Sequence, residues 1–223
     1  MAMVVVNIVV GVTSILAILL LALRSSRHAK QQEEIKRRFL EEEEAANAVR
    51  KRDIDPELFY TADLSALPQI AAGDPHQVER SAKRTMIRFE EPISNLELKK
   101  QYGLSQMDII AQYEENFIEY LKALTNWAEE LVKENNPADA ITILETAISL
   151  GAEFRNTYKL AADIYAANID ETAETAETAI ENLLDRAEKN HFSDPSIRRQ
   201  ILEHINKKKD ELAEKKKNEE TAA

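Results

Sequence analysis

The chain contains no cysteine, which excludes disulfides, thiolate metal sites, a lipidated cysteine anchor and a cysteine nucleophile. Glycine is almost as scarce. Gly11, Gly73, Gly103 and Gly151 lie far apart, so no phosphate-cradling loop is built from them. Only six prolines punctuate 223 residues, and Ala, Glu, Leu and Lys dominate, a bias that favours helices over a sandwich or barrel. His28, His76, His191 and His204 are scattered, and none has H-E-x-x-H or comparable ligand spacing. A G-x-S-x-G elbow is also missing. Carboxylates are abundant, but Glu41 to Glu44 and the tract from Glu171 read as solvated helix surface rather than a paired acid and base. No catalytic activity, metal or cofactor is therefore expected. A net charge of -11 repels a polyanion over most of the surface, so no nucleic-acid partner is expected either.

What the sequence does have is one long apolar run. Met3 to Leu23 is 21 residues without a charge, interrupted only by Asn7, Gly11, Thr13 and Ser14. As a helix it would be roughly 30 Å long, the thickness of a bilayer's hydrocarbon core. A secretory leader would carry positive charge ahead of a shorter apolar stretch. Here no Lys or Arg precedes the run, and no A-x-A site is evident. Arg24, Arg27, Lys30, Lys36, Arg37 and Arg38 follow it, so the positive-inside rule places that side in the cytoplasm. The expectation is a single-pass anchor in the cell membrane, lipid-embedded through residues 3–23, with the C-terminal domain cytoplasmic.

Behind the anchor, Arg24 to Arg52 is highly charged with few apolar residues (Ile35, Phe39, Leu40, Val49), and it reads as a solvated helical stalk. A membrane-surface role is the alternative for its basic start, which snorkelling and orientation of the anchor suffice to explain. Asp55-Pro56, Leu67-Pro68 and Gly73-Asp74-Pro75 then mark an extended linker. Its Leu58, Phe59, Tyr60, Leu64 and Leu67 either pack on the following domain or form a short linear motif.

From Pro75 onward helices succeed one another. Segments near His76 to Phe89 and Ile93 to Tyr102 are moderately amphipathic, with Gly103 suited to end the second. Ser105 and Asp108 give an S-x-x-D start signal. A long stripe follows, Ile109, Ile110, Tyr113, Phe117, Ile118, Leu121, Leu124, Trp127, Ala128 and Leu131, at spacings of three and four. Asn136 and Pro137 stop that helix and cap the next, which ends at Gly151. A third carries Phe154 to Tyr165, a fourth follows the Glu-Thr-Ala repeat, and Ser193-Asp194-Pro195 opens the last.

Paired helices joined by tight turns are the form of a helical repeat. In a 34-residue window from Leu121, positions 4, 7, 8 and 11 hold Leu124, Trp127, Ala128 and Leu131, and positions 20, 24 and 27 hold Ala140, Leu144 and Ala147. A second window from Arg155 places Tyr158, Ala161, Ala162 and Tyr165 likewise. Six extra residues in its turn then bring Ile180, Leu184 and Ala187 into register. This small-and-large pattern resembles the tetratricopeptide repeat over about 70 residues. Ala stands at position 8 where the family has Gly, and position 32 (Ala152, Phe192) lacks its Pro. A plain antiparallel helical bundle is the competing architecture.

The resemblance implies an all-α fold: an N-terminal transmembrane helix and charged stalk, then an antiparallel helical-hairpin, tetratricopeptide-like domain. The expected organisation is 1–24 anchor with a short N-terminus, 25–52 charged juxtamembrane helix, 53–74 linker, 75–206 tetratricopeptide-like domain and 207–223 charged tail. It also implies a membrane-anchored scaffold or adaptor that binds a protein or peptide on the face made by each repeat's first helix. By position that face presents Lys122, Thr125, Asn126 and Glu129, then Asn156, Lys159 and Asp163. The carboxylate-clamp subclass has Asn where Glu129 and Asp163 stand, so a mixed-charge ligand is expected rather than a free C-terminal carboxylate. The alternative is a structural subunit of a membrane complex, with Gly11 and Ser14 offering a small-residue contact in the anchor.

Overall fold

A computed structural model describes residues 30–70, 72–167 and 173–222. The anchor expected over 3–23 lies outside the described residues, and among the described residues no helix is long and apolar enough to cross a membrane. Among the described residues helix dominates, strand is confined to two dipeptides, and the class is all-α. The chain divides into two compact units.

The first unit contains 30–54 and 91–108. Helix α1 runs over 30–47 and helix α3 over Asn95–Tyr102. A full capping box starts α3: Ser94 Oγ accepts from the Glu97 amide, and the Glu97 carboxylate accepts from the Ser94 amide. The end of α1 is tied to α3 by ion pairs of Glu43 with Lys99 (2.7 Å) and Glu42 with Lys100 (2.8 Å), over the buried Ala46. The chain after α1 is strapped along the end of α3. The Arg52 amide donates to the Tyr102 carbonyl (3.1 Å), and Gln106 Nε2 donates to the Arg52 carbonyl (2.8 Å). Gly103 makes this approach feasible: its φ is +82°, and a Cβ there would stand 2.9 Å from the Val49 carbonyl oxygen. The Ser105 to Asp108 signal caps nothing. A 3₁₀ turn at Leu104–Gln106 feeds directly into the next helix, so helical hydrogen bonding begins ahead of it.

The second unit contains 55–90 and the chain from Ile109. The segment expected as a linker is fixed here. Strand β1 (Phe59–Tyr60) pairs antiparallel with β2 (Met86–Ile87), Phe59 opposite Ile87 and Tyr60 opposite Met86. That pairing ends helix α2 at Ala82 (Pro75–Ala82), well short of the expected Phe89, because Met86 and Ile87 are needed as buried strand. Helix α4 (Met107–Lys133) receives the segment: the Tyr60 ring meets Phe117 edge-on at 5.1 Å, and Leu67 is buried. The Trp127 indole donates to the Ala72 carbonyl (2.8 Å), and Gly73 (φ +69°) lets the chain lie against that ring. Of the two readings of this apolar segment, packing is the one the structure displays.

The described residues that follow form α5 (Pro137–Ser149), α6 (Arg155–Ala167), α7 (Ala173–Lys189) and α8 (Pro195–Ala222). The α4–α5 and α5–α6 turns share one device. A residue of positive φ (Asn135 +59°, Gly151 +88°) precedes an amide that reaches back five residues, Asn136 to Leu131 (2.8 Å) and Ala152 to Ala147 (3.0 Å). Asn136 caps α5 through the Asp139 amide, with Pro137 in the first turn. Leu124, Ala128, Leu131, Ala140, Leu144, Ala147, Tyr158, Ala161, Ala162, Ile180 and Ala187 share one core and are fully buried. The small residues among them let the helices lie close together.

Helix α6 packs on α5, α7 and α8, and α7 also packs on α8. On the α5–α7 side, Glu145 accepts from the Tyr165 hydroxyl (2.5 Å) and pairs with Arg186. Helix α8 does not stop at the expected domain end. It continues to Ala222, with Lys209 paired to Glu181 (2.7 Å) and Lys216 to Glu177 (3.2 Å) on α7.

Candidate protein-binding face

The seven residues expected on the binding face sit on α4 and α6, which meet directly. Asn156 Nδ2 of α6 donates to Glu129 Oε1 of α4 at 3.0 Å. Helix α8 lies on the other side of α6, where Arg155 donates to Gln200 Oε1 (3.0 Å) and His204 Nε2 stands 2.8 Å from Asp163 Oδ1. Lys208 Nζ lies 3.4 Å from the same Asp163 oxygen and 3.1 Å from Glu211. The hydrogen bond to Glu211, with the charge of Asp163 behind it, raises the Lys208 pKa above its ordinary value, so the ammonium stays charged.

Lys122, Asn126, Asn156 and Lys159 are exposed, as a binding role requires. Among the described residues Lys122 has only a long, exposed pairing to Glu115 (3.8 Å), of the kind worth little. Among the described residues Lys159 makes no ion pair. Glu129 and Asp163 are half-buried and already engaged by Asn156 and by His204 with Lys208.

Thr125 departs from the expectation. It is buried at 4% exposure, its hydroxyl donates to the Leu121 carbonyl (3.1 Å), and it lies 2.8 Å from the hydroxyl of the buried Thr157. Since Thr125 spends its proton on Leu121, Thr157 is the donor between the two. The pair closes the α4–α6 seam beneath the face, out of reach of a ligand. This order predicts an asymmetry. Thr125→Val strands the Thr157 hydroxyl and costs about 2 kcal/mol, whereas Thr157→Val costs nearer 1. The double variant costs less than the two singles together, as a denaturation double-mutant cycle would show. Equal and additive losses would contradict this arrangement.

His204 and Lys208 escape sequence reasoning because their partner lies on another helix; four residues apart on α8, they share only the face that meets α6. Comparison with protein-family models, curated proteins and solved structures finds no match to this chain.

Proposed function

We propose that the chain is a membrane-anchored adaptor, built on tetratricopeptide-like helical hairpins, whose α4–α6 face binds a protein or peptide on the cytoplasmic side. The repeat reading is supported by the recurrence of buried small residues at matching positions of two hairpins, Ala128 with Ala162 and Ala147 with Ala187. One observation carries the binding reading. The acids of the face are occupied within the protein, while Lys122, Asn126 and Lys159 are exposed and, among the described residues, without strong partners. The expectation of a mixed-charge ligand accordingly narrows to an acidic segment, which would meet two ammonium groups and the Asn126 amide. Electrostatic complementarity of this type sets specificity and encounter rate more than affinity.

The test is a crosslinking pull-down with the full chain from native membranes, beside a Lys122→Glu, Lys159→Glu variant whose circular dichroism matches wild type. The expected result is a partner captured by wild type and lost from the variant. Identical captures by the two proteins would reject the face.

A further inference from the structure

Helix α1 is two halves of opposite character. Its C-terminal half carries the acidic run Glu41 to Glu44, and there Glu42 and Glu43 are consumed by Lys100 and Lys99 of α3. Among the described residues its N-terminal half has no such partner on α3. Ile35 (62% exposed), Phe39 (54%) and Leu40 (56%) stand in solvent on one side of that half, with Lys36 between them. Spacings of one and four residues put all four within one arc of the helix. Arg37 and Arg38 lie off that arc, where Arg37 pairs with Glu41 (3.6 Å) and Arg38 with Glu34 (2.7 Å).

Charge is segregated in the same way. From Arg24 to Leu40 six cations (Arg24, Arg27, Lys30, Lys36, Arg37, Arg38) face two acids (Glu33, Glu34), and the uncharged apolar run ends at Leu23. An apolar arc inside a net-positive segment, close behind such a run, suits an anionic lipid surface, which attracts cations and accepts apolar side chains between its headgroups. A second copy of the helix suits it less. Side by side, two copies bring the same excess of cations together; antiparallel, each would draw on an acidic run whose Glu42 and Glu43 are held by α3 and whose Glu41 is paired with Arg37.

We propose that the N-terminal half of α1 is an interfacial helix that lies on an anionic bilayer surface with Ile35, Phe39 and Leu40 inserted among the headgroups. The inference rests on the membrane-anchor reading of residues 3–23. It assigns the segment read from sequence as a solvated stalk to the membrane surface, and leaves the acidic half to bind α3.

The absence of native cysteine makes the test direct. The full chain is reconstituted into phosphatidylcholine–phosphatidylglycerol vesicles as Phe39→Cys, Leu40→Cys or Arg37→Cys, each carrying a nitroxide. Labels at 39 and 40 should be shielded from a water-soluble relaxant and open to oxygen, and the label at 37 the reverse. That contrast should weaken in phosphatidylcholine alone and when Lys36→Glu is added. Labels at 39 and 40 as water-exposed as the label at 37, in chain that survives an alkaline wash, would overturn the interfacial helix and leave the anchor standing. Spin–spin coupling between copies at 39 would overturn it in favour of a second copy. Chain lost to the wash would overturn both, and pelleting separates that result from the others.

Discussion

Tyr158→Ala should cost about 4 kcal/mol of stability, the largest loss expected from a single side chain here. Tyr158 is fully buried on α6, the helix against which α5, α7 and α8 all pack. Its ring lies 5.5 Å from Phe192, and its hydroxyl accepts from Asn190 Nδ2 at 2.9 Å. Truncation therefore opens a cavity at the meeting point of several helices and takes its partner from the half-buried Asn190 amide. Trp127, the single tryptophan, is buried in the same core and reports the transition by fluorescence in a urea titration. Burial, offset in part by the Asn190 bond and Arg186, pushes the Tyr158 phenol up to about 12 from 10.0. The folded state thus holds the phenolic proton after the unfolded chain has released it. Stability should be intact below pH 10.0 and fall as pH rises towards about 12. Tyr158→Phe keeps the ring, costs about 1 kcal/mol, and should make that alkaline limb shallower, the rest coming from Tyr60 and Tyr120, whose phenols burial also raises. A midpoint unmoved by Tyr158→Ala would contradict the central place of α6.

Gly103→Ala should cost about 3 kcal/mol in the first unit, since the positive φ region is strained for any residue with a Cβ. A methyl at Gly103 also meets backbone: the Val49 carbonyl oxygen at 2.9 Å and the Arg50 carbonyl oxygen at 3.0 Å. Backbone cannot rotate aside as a side chain can, so the strap from Val49 to Arg52 must lift off α3. Gly151→Ala is the internal control. It has a similar φ of +88° and open space around it, so it should cost only about 1 kcal/mol. Amide exchange at Arg52, protected by the Tyr102 carbonyl, is the readout. Faster exchange at Arg52 in Gly103→Ala, with no change there in Gly151→Ala, is expected. Equal behaviour of the two variants would contradict the close approach.

Much of the second half of the chain was legible because its boundaries are local. Asn136 with Pro137, Gly151, and Asp194 with Pro195 end or begin helices through bonds within a few residues, and each stands where its type predicts. What escaped depends on partners far away in sequence. Phe59–Tyr60 becomes strand only because Met86–Ile87 lies alongside, and that pairing overrides the amphipathic pattern after Ala82. The charged stretch from Lys207 reads as a charged tail until Asp163, Glu177 and Glu181 supply its ion-pair partners. The candidate face shows the same division. Lys122, Asn126, Asn156 and Lys159 fall on the exposed surface as helical periodicity requires. Thr125 does not, because a threonine that satisfies its hydroxyl on Leu121 and Thr157 is as acceptable in a seam as on a surface. Ser94-x-x-Glu97 forms the capping box of α3, a start signal missed at the level of sequence, whereas Ser105-x-x-Asp108, its near twin, does not cap the helix that follows it.

The central claim, that the α4–α6 face takes a partner, is tested most directly by placing a photoreactive residue in the full chain at Asn126, Lys159 or Thr142 and irradiating native membranes. Thr142 is exposed on α5, away from the α4–α6 seam, and serves as the reference position. One protein crosslinked from 126 and 159 and not from 142 is the predicted result. The same adducts from all three positions, or adducts from 142 alone, would contradict the account.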